Sequence, residues 1–287
     1  MKNILIAVLV SISSFIMAQE TMAYKIYNNK GKEVSFEDVV KSSLKADVLF
    51  FGELHNNPIS HWMQFELTKA LIEKKEGKVK LGAEMFEADN QLVINELLDS
   101  LIKEKKFEDD CRLWPNYATD YKPLMHLAME NKLSFIATNV PRRYASVVYY
   151  SGFEGLDRLS SEAKKYIAPL PIQYDPEQDA YKSMLTMGGM PGHVNENLPK
   201  AQAIKDATMA YFIAQNLKKG ELFIHYNGAY HSDKYQGIIY YLKPMIKSKD
   251  IITITTVSSS DVSKLREEEK ALADFIIVVN ENMTTTH

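Results

Sequence analysis

The residues of this chain that could carry out chemistry are concentrated in two copies of a Gly-x-x-His pattern. Residues 52–55 read Gly-Glu-Leu-His, and residues 228–231 read Gly-Ala-Tyr-His. Each copy follows an apolar run that is typical of a buried strand. Ligands bind at the carboxyl ends of the strands in open α/β sheets. Two such strands would therefore direct His55 and His231 toward one crevice.

Two carboxylates are expected beside these imidazoles. Glu53 lies two residues before His55, and Glu84 follows the apolar run at 79–83. Neutral imidazoles and ionised carboxylates are ligands that Zn, Mn or Fe ions accept. They also serve in acid/base catalysis, with Glu53 as a general base on a bound water. We therefore predict four catalytic residues that are also candidate ligands of a divalent metal ion: Glu53, His55, Glu84 and His231. The alternative is that both histidines are structural and only fix loops.

Two further candidates follow from their surroundings. Asp206 lies in a segment whose apolar spacing predicts a packed helix, and a buried carboxylate needs a partner, for which Arg142 is the natural candidate. This pair could be purely architectural. His193 lies in a stretch rich in Gly, Met and Pro, residues 184–194. We expect His193 to be a ligand or a gate carried by a mobile loop, with a solvent-exposed bystander as the alternative.

Apolar periodicity predicts an α/β fold with a mostly parallel sheet flanked by helices. The predicted strands are residues 47–51, 79–83, 133–138, 222–226, 251–257 and 275–279. The predicted helices are residues 57–77, 89–102, 122–131, 200–218 and 234–246. Asn57 is expected to cap the first of these helices, with Pro58 in its first turn. Residues 141–198 contain several prolines and no comparable strand, which predicts a helical insertion.

Composition excludes some classes of partner and crosslink. The 287 residues carry a formal net charge of −3, with both signs mixed along the chain. No basic block is present, so a nucleic-acid partner is not expected. Cys111 is the only cysteine, so no intramolecular disulfide can form.

The first 18 residues are typical of a secretory signal peptide. Lys2 supplies a positive start, residues 4–17 are apolar but short for a membrane span, and Ala18 is a small residue before the expected cut. The mature chain, residues 19–287, is expected to be one α/β domain in the periplasm or outside the cell. No cysteine follows the cut, so neither a lipid anchor nor a membrane span is predicted.

These motifs resemble those of the ChaN-like haem-binding proteins, which belong to the Tiki/TraB/erythromycin-esterase superfamily. The opening motif is Phe-Gly-Glu-Leu-His-Asn-Asn-Pro at residues 51–58, with His61 soon after. Four more matches follow in order, at residues 84–86, 139–142, 206–210, and 228–231 with Gly237. The resemblance covers most of residues 45–245. It adds two polar members of these matches to the expected binding residues, which are Asn139, Arg142, His193, Asp206 and Tyr230.

The resemblance implies haem binding during iron uptake, with the haem held at the strand ends between two subunits of a homodimer. In the Tiki and esterase branches, His and Glu at similar positions carry out hydrolysis, which is metal-dependent in some cases. The chain differs from the lipoprotein members of the family because it lacks a cysteine for a lipid anchor.

Haem binding and hydrolysis make different demands on the crevice. Haem needs a flat apolar slot and axial donors such as Tyr, His or Met, and the chain has 16 Tyr and 13 Met. A metal-dependent hydrolase needs convergent ligands and an open coordination position for water. The expected function is that of an exported haem-binding protein, with a metal-dependent hydrolase as the alternative. A catalytically inert binding protein is the third class.

Overall fold

The structure is a computed structural model that describes residues 22–187, 195–247 and 250–287. The predicted signal peptide and His193 lie outside these ranges. The strands are β1 (Tyr24–Asn28), β2 (Val48–Glu53), β3 (Val79–Glu87), β4 (Phe135–Asn139), β5 (Leu222–Gly228), β6 (Ile251–Ser259) and β7 (Phe275–Asn280). They form one sheet in the order β1-β7-β6-β2-β5-β3-β4.

The sheet is parallel except at one edge, where β1 pairs antiparallel with β7. Every residue of β2, β3 and β5 is buried. Strands covered by helices on both faces carry apolar residues in continuous runs, which is why their sequences do not alternate. The predicted α/β fold with a mostly parallel sheet is confirmed.

The helices of the described residues pack against this sheet. They are α1 (Phe36–Ser43), α2 (Pro58–Lys74), α3 (Gln91–Leu98), α4 (Glu104–Asp110), α5 (Lys122–Glu130), α6 (Arg142–Ser151), α7 (Asp179–Met187), α8 (Leu198–Asn216) and α9 (Ile238–Leu242). A π-helical turn, Tyr117–Tyr121, leads into α5. None of these helices is long and apolar enough to cross a membrane.

The predicted start of α2 is confirmed. Asn57 Oδ1 accepts hydrogen bonds from the backbone N–H groups of Ile59 and Ser60, both at 3.0 Å, and Pro58 opens the helix. This cap satisfies backbone donors that a helix start leaves unpaired. It fixes the direction in which the chain leaves the end of β2.

Two predicted helices are shorter than expected. The helix predicted at 234–246 forms only as α9, and its first turn is missing because Lys234, Tyr235 and Gly237 have φ angles of 56°, 58° and 55°. These angles lie outside the right-handed helical region. The helix predicted at 89–102 ends at Leu98, and Ser100 has a φ of 59°. Sequence analysis also missed β1, α1 and α4.

The insertion is helical where the structure describes it. Residues 141–187 and 195–198 contain α6, α7, the first residue of α8 and two short 3₁₀ helices, Phe153–Arg158 and Ala163–Tyr166, and no strand. Helix α6 begins directly after the end of β4, and it packs against α8. The insertion therefore starts at the carboxyl end of the sheet, beside the Gly-x-x-His motifs.

Candidate functional site

The pairing of β2 with β5 brings the two Gly-x-x-His copies side by side. In this parallel register Glu53, the last residue of β2, lies opposite Gly228, the last residue of β5. β3 is the other neighbour of β5, and the Gly228 N–H donates to Glu84 Oε2 at 2.8 Å. The order of the strands therefore assembles the predicted residues at one place.

The carboxyl ends of these strands open on a crevice of about 590 Å³. Its walls include the four predicted catalytic or metal-binding residues and three of the predicted binding residues: Glu53, His55, Glu84, Asn139, Arg142, Tyr230 and His231. Asp206 lies behind His231, outside the lining. The structure thus brings these side chains together, while their catalytic and binding roles stay predictions.

Glu53 is buried, and both of its carboxylate oxygens have partners. The Tyr121 hydroxyl donates to Oε1 at 2.6 Å, and Gln64 Nε2 donates to Oε2 at 2.6 Å. His55 Nδ1 lies 3.0 Å from Oε1. Because the carboxylate is fixed by two other residues, it in turn fixes the orientation of the His55 ring.

The rest of His55 is also held in place. Its carbonyl oxygen accepts from Asn116 Nδ2 at 2.7 Å, and its ring packs edge-on against Trp114 with centroids 5.0 Å apart. The ring also lies against Gly228, where an added Cβ would be 2.7 Å from His55 Cε1 and Nε2. A Cβ atom does not approach a neighbouring heavy atom that closely, so any side chain at position 228 would displace the imidazole.

His55 keeps one nitrogen available to the crevice. Its side chain is 46 % exposed, and Nε2 has no hydrogen bond to any residue that the structure describes. Burial lowers the pKa of His55, but the hydrogen bond to Glu53 and the charges of Glu84 and Glu53 together raise it above the ordinary value. Lowering the pH therefore protonates this nitrogen and removes its lone pair.

His231 is the centre of a second, buried cluster. Its Nε2 lies 3.1 Å from Glu84 Oε1, and its Nδ1 hydrogen-bonds to Asp206 Oδ1. Burial lowers the pKa of His231, but the two carboxylates outweigh that effect and raise it to about 10. At neutral pH the ring is therefore an imidazolium that donates from both nitrogens, and it has no lone pair with which to bind a metal ion.

The two carboxylates of this cluster differ in pKa. Burial raises the pKa of Glu84, but the charge and hydrogen bond of His231 hold it well below its usual range. Burial also raises the pKa of Asp206, and the bonds from His231 and from the Tyr181 hydroxyl, at 2.8 Å, offset only part of that rise. Glu84 therefore stays ionised to a lower pH than Asp206 does.

The predicted pair of Arg142 and Asp206 is wrong. Asp206 bonds to His231 and Tyr181 instead. The Arg142 side chain is 81 % exposed at the crevice mouth, and its Nε lies 4.0 Å from an oxygen of Glu87. Asp206 was correctly expected to be buried on a packed helix, but its partner depends on the rotation of α8, which the sequence does not fix.

Two other lining residues carry polar groups. Asn139 Nδ2 donates to the Glu84 carbonyl at 2.9 Å, while Asn139 Oδ1 is buried and has no partner among the described residues. The Tyr230 hydroxyl hydrogen-bonds to Ser183 Oγ. A buried acceptor without a partner is costly unless water or a ligand satisfies it, so Asn139 offers one contact point in the wall.

The divalent-metal prediction has no support in the structure. The described residues contain no group of three or more His, Cys, Asp or Glu side chains that could hold a metal ion. The bonds above give the physical reason, since Glu53 and Glu84 are already engaged and both nitrogens of His231 donate to carboxylates. The hydrolase alternative is accordingly no better supported than haem binding.

Sequence analysis missed three residues that shape the crevice, namely Trp114, Tyr121 and Lys205. None of them follows a predicted strand. Tyr121 lies in the π-helical turn, a feature that is frequent at functional sites. Lys205 lies beside the buried Asp206 on α8. A lysine next to a buried carboxylate in a packed helix was the one sequence signal that could have identified it.

The sequence model of a family described as haem-binding uptake proteins, ChaN, of the Tiki superfamily matches residues 39–242. That span is well over half of the chain and contains every crevice residue named above. The chain belongs to this family. The resemblance that the motifs suggested is thereby confirmed, and a ChaN-type, haem-related role is supported. No curated protein matches the chain.

Solved structures share the fold with this ChaN-family chain. A structure of cofacial haem binding to ChaN of Campylobacter jejuni has a TM-score of 0.69 and 18 % identity, and the match covers 90 % of this chain and 98 % of that one. A mutant of the erythromycin esterase EreC in its open conformation has a TM-score of 0.50 and 10 % identity, with 92 % and 98 % covered. A Bacillus cereus protein has a TM-score of 0.51 and 11 % identity, with 90 % and 95 % covered. At these identities the similarity shows the fold alone.

Proposed function

We propose that this protein binds haem in the strand-end crevice and takes part in haem or iron uptake. The observation that carries the proposal is a crevice of about 590 Å³ with apolar walls, in a chain of the ChaN family. This volume lies within the range of about 300–1,000 Å³ that is usual for ligand pockets. The apolar walls are formed by Leu54, Trp114, Val140, Met184 and Ala229.

Four lining residues have donor types that haem iron accepts. Iron in haem is held by His, Tyr, Met or Cys side chains, and His55, Met184, Tyr230 and His231 line the crevice. The Glu53 contact at Nδ1 leaves Nε2 of His55 as its only candidate donor atom. His231 is a poorer candidate, because both of its nitrogens already donate to carboxylates.

We further propose that a second copy of the chain covers the haem. The crevice is partly open to solvent, so a flat ligand in it would keep part of its apolar surface in water, which is unfavourable. ChaN of Campylobacter jejuni binds haem cofacially. A homodimer in which two crevices face each other would bury that surface.

Titration with haem tests this function. We expect a saturable shift of the Soret band at one haem per chain, and a doubling of the mass measured by light scattering when haem is added. The change in mass tests the homodimer, and the Soret shift tests haem binding. A saturable shift without a change in mass would contradict the dimer alone, whereas no saturable shift at any protein concentration would contradict haem binding.

A further inference from the structure

Two cations in the crevice wall have no hydrogen bond to a carboxylate of the described residues. The Lys205 side chain is half-buried, and among the described residues its Nζ makes one weak hydrogen bond, to Gln202 Oε1 at 3.4 Å. The Arg142 guanidinium stands at the crevice mouth, 4.0 Å from an oxygen of Glu87. Of the ion pairs formed by described residues within 4 Å, none involves Lys205. Keeping a half-buried ammonium without an anion is costly.

The neighbouring cations are engaged differently. The Arg112 guanidinium donates to Glu87 Oε2 at 2.9 Å and also bonds to Asp89. Arg143 donates to Asp89 Oδ2 at 2.6 Å and lies over the Tyr144 ring, 4.5 Å from its centroid. Neither Arg112 nor Arg143 lines the crevice. Of these four cations, Arg142 and Lys205 are therefore the two placed to meet a ligand in the crevice.

The acids of the crevice floor do not compete strongly for these two cations. Glu53 accepts from Tyr121 and Gln64, and Glu84 accepts from the Gly228 N–H and faces the imidazolium of His231. Lys205 does act on the floor through space, since its charge contributes to the lowered pKa of Glu84. Nevertheless, neither Lys205 nor Arg142 is hydrogen-bonded to a carboxylate of the described residues, and the pair of Arg142 with Glu87 is long, at 4.0 Å.

We propose that Arg142 and Lys205 bind carboxylates of the crevice ligand. The site would then be selective for a tetrapyrrole with free acid side chains over the same ring with esterified side chains. This inference rests on the proposed haem function. It names the acid side chains as the part of the ligand that the protein recognises. Apolar walls hold a ring of either kind, whereas only an ionised carboxylate can form charge-assisted hydrogen bonds with a guanidinium and an ammonium.

Competitive titration with haem and its dimethyl ester, in the same detergent, tests the proposal. We expect the wild-type protein to bind the diacid at least about tenfold more tightly, because hydrogen bonds to charged groups contribute about 1.5–3 kcal/mol. Lys205→Gln should reduce that preference by about tenfold. Arg142→Gln should reduce it by about threefold, since exposed ion pairs contribute less. The affinity for the diester should fall less than the affinity for the diacid in both variants.

Arg143→Gln is the matched control, because it removes the same charge one residue outside the lining. It should keep the full preference for the diacid. Equal affinities of the wild-type protein for diacid and diester would overturn the proposal and leave haem binding intact. If the protein bound neither ligand, both the proposed selectivity and the proposed haem binding would be overturned. Should Lys205→Gln fail to fold, the exposed Arg142→Gln variant still decides the matter, since an unchanged preference would contradict its role.

Discussion

At the scale of single residues, the two motif histidines are alike in sequence but not in chemistry. His231 is enclosed by Glu84 and Asp206 and is charged, whereas His55 is nearly half exposed and has one nitrogen without a bond to described residues. The sequence identified both histidines, because each follows a buried strand. It could not separate their roles, since the difference comes from Asp206, which lies on a helix whose rotation the sequence does not determine.

Gly228→Ala tests whether the imidazole of His55 needs a residue without a side chain at position 228. The new Cβ would be 2.7 Å from the ring, so we expect a loss of about 1–3 kcal/mol in the free energy of unfolding, as for other overpacked sites. Haem affinity should fall as the ring moves. Urea unfolding and haem titration of the same preparation measure the two effects.

The combination of Gly228→Ala with His55→Ala is the control for that substitution. Removing the ring removes the clash, so the double variant should be no less stable than His55→Ala alone. A double variant that loses the full sum of both single effects would show that the cost of Gly228→Ala arises elsewhere.

At the scale of elements, strands were easier to predict than the contacts between them. β2, β3 and β5 are continuous apolar runs because helices cover both faces of the sheet, and such runs are visible in sequence. The position of β5 between β2 and β3 depends on contacts between residues far apart in the chain, which no local sequence pattern indicates. The helix predicted at 234–246 was wrong over its first turn because positive φ angles interrupt it.

The buried histidine of β5 predicts a pH effect on stability. Burial lowers the pKa of His225 to about 4, against 6.5 in the unfolded chain. The unfolded state therefore binds the proton more readily between these values, and the free energy of unfolding should fall by about 3 kcal/mol as the pH drops from 6.5 to 4. Well above pH 6.5 the imidazole is neutral in both states, so His225 adds no pH dependence there.

His225→Gln should remove this part of the acid sensitivity, although it should also lower stability at neutral pH because His225 bonds to Thr138 and Asn227. Urea unfolding at a series of pH values gives the slope for each protein. An unchanged acid slope in His225→Gln would contradict the assignment.

At the scale of the whole molecule, export stays a prediction. The charged start, short apolar run and small residue before the cut favour removal of the first 18 residues. We expect the mature chain to begin near Gln19 and to be recovered from the periplasm or the medium. Mass spectrometry of the N-terminus measures this, and an intact Met1 on the functional protein would contradict it.

The central claim is that haem occupies the strand-end crevice, and blocking two cavities in turn tests it most directly. Ala229 lines that crevice, and Ala214 lines a separate cavity of about 600 Å³ bordered by α8 and α9. We predict that Ala229→Trp abolishes the saturable Soret shift, and that Ala214→Trp binds haem like the wild-type protein. Full haem binding by a folded Ala229→Trp variant would contradict the account.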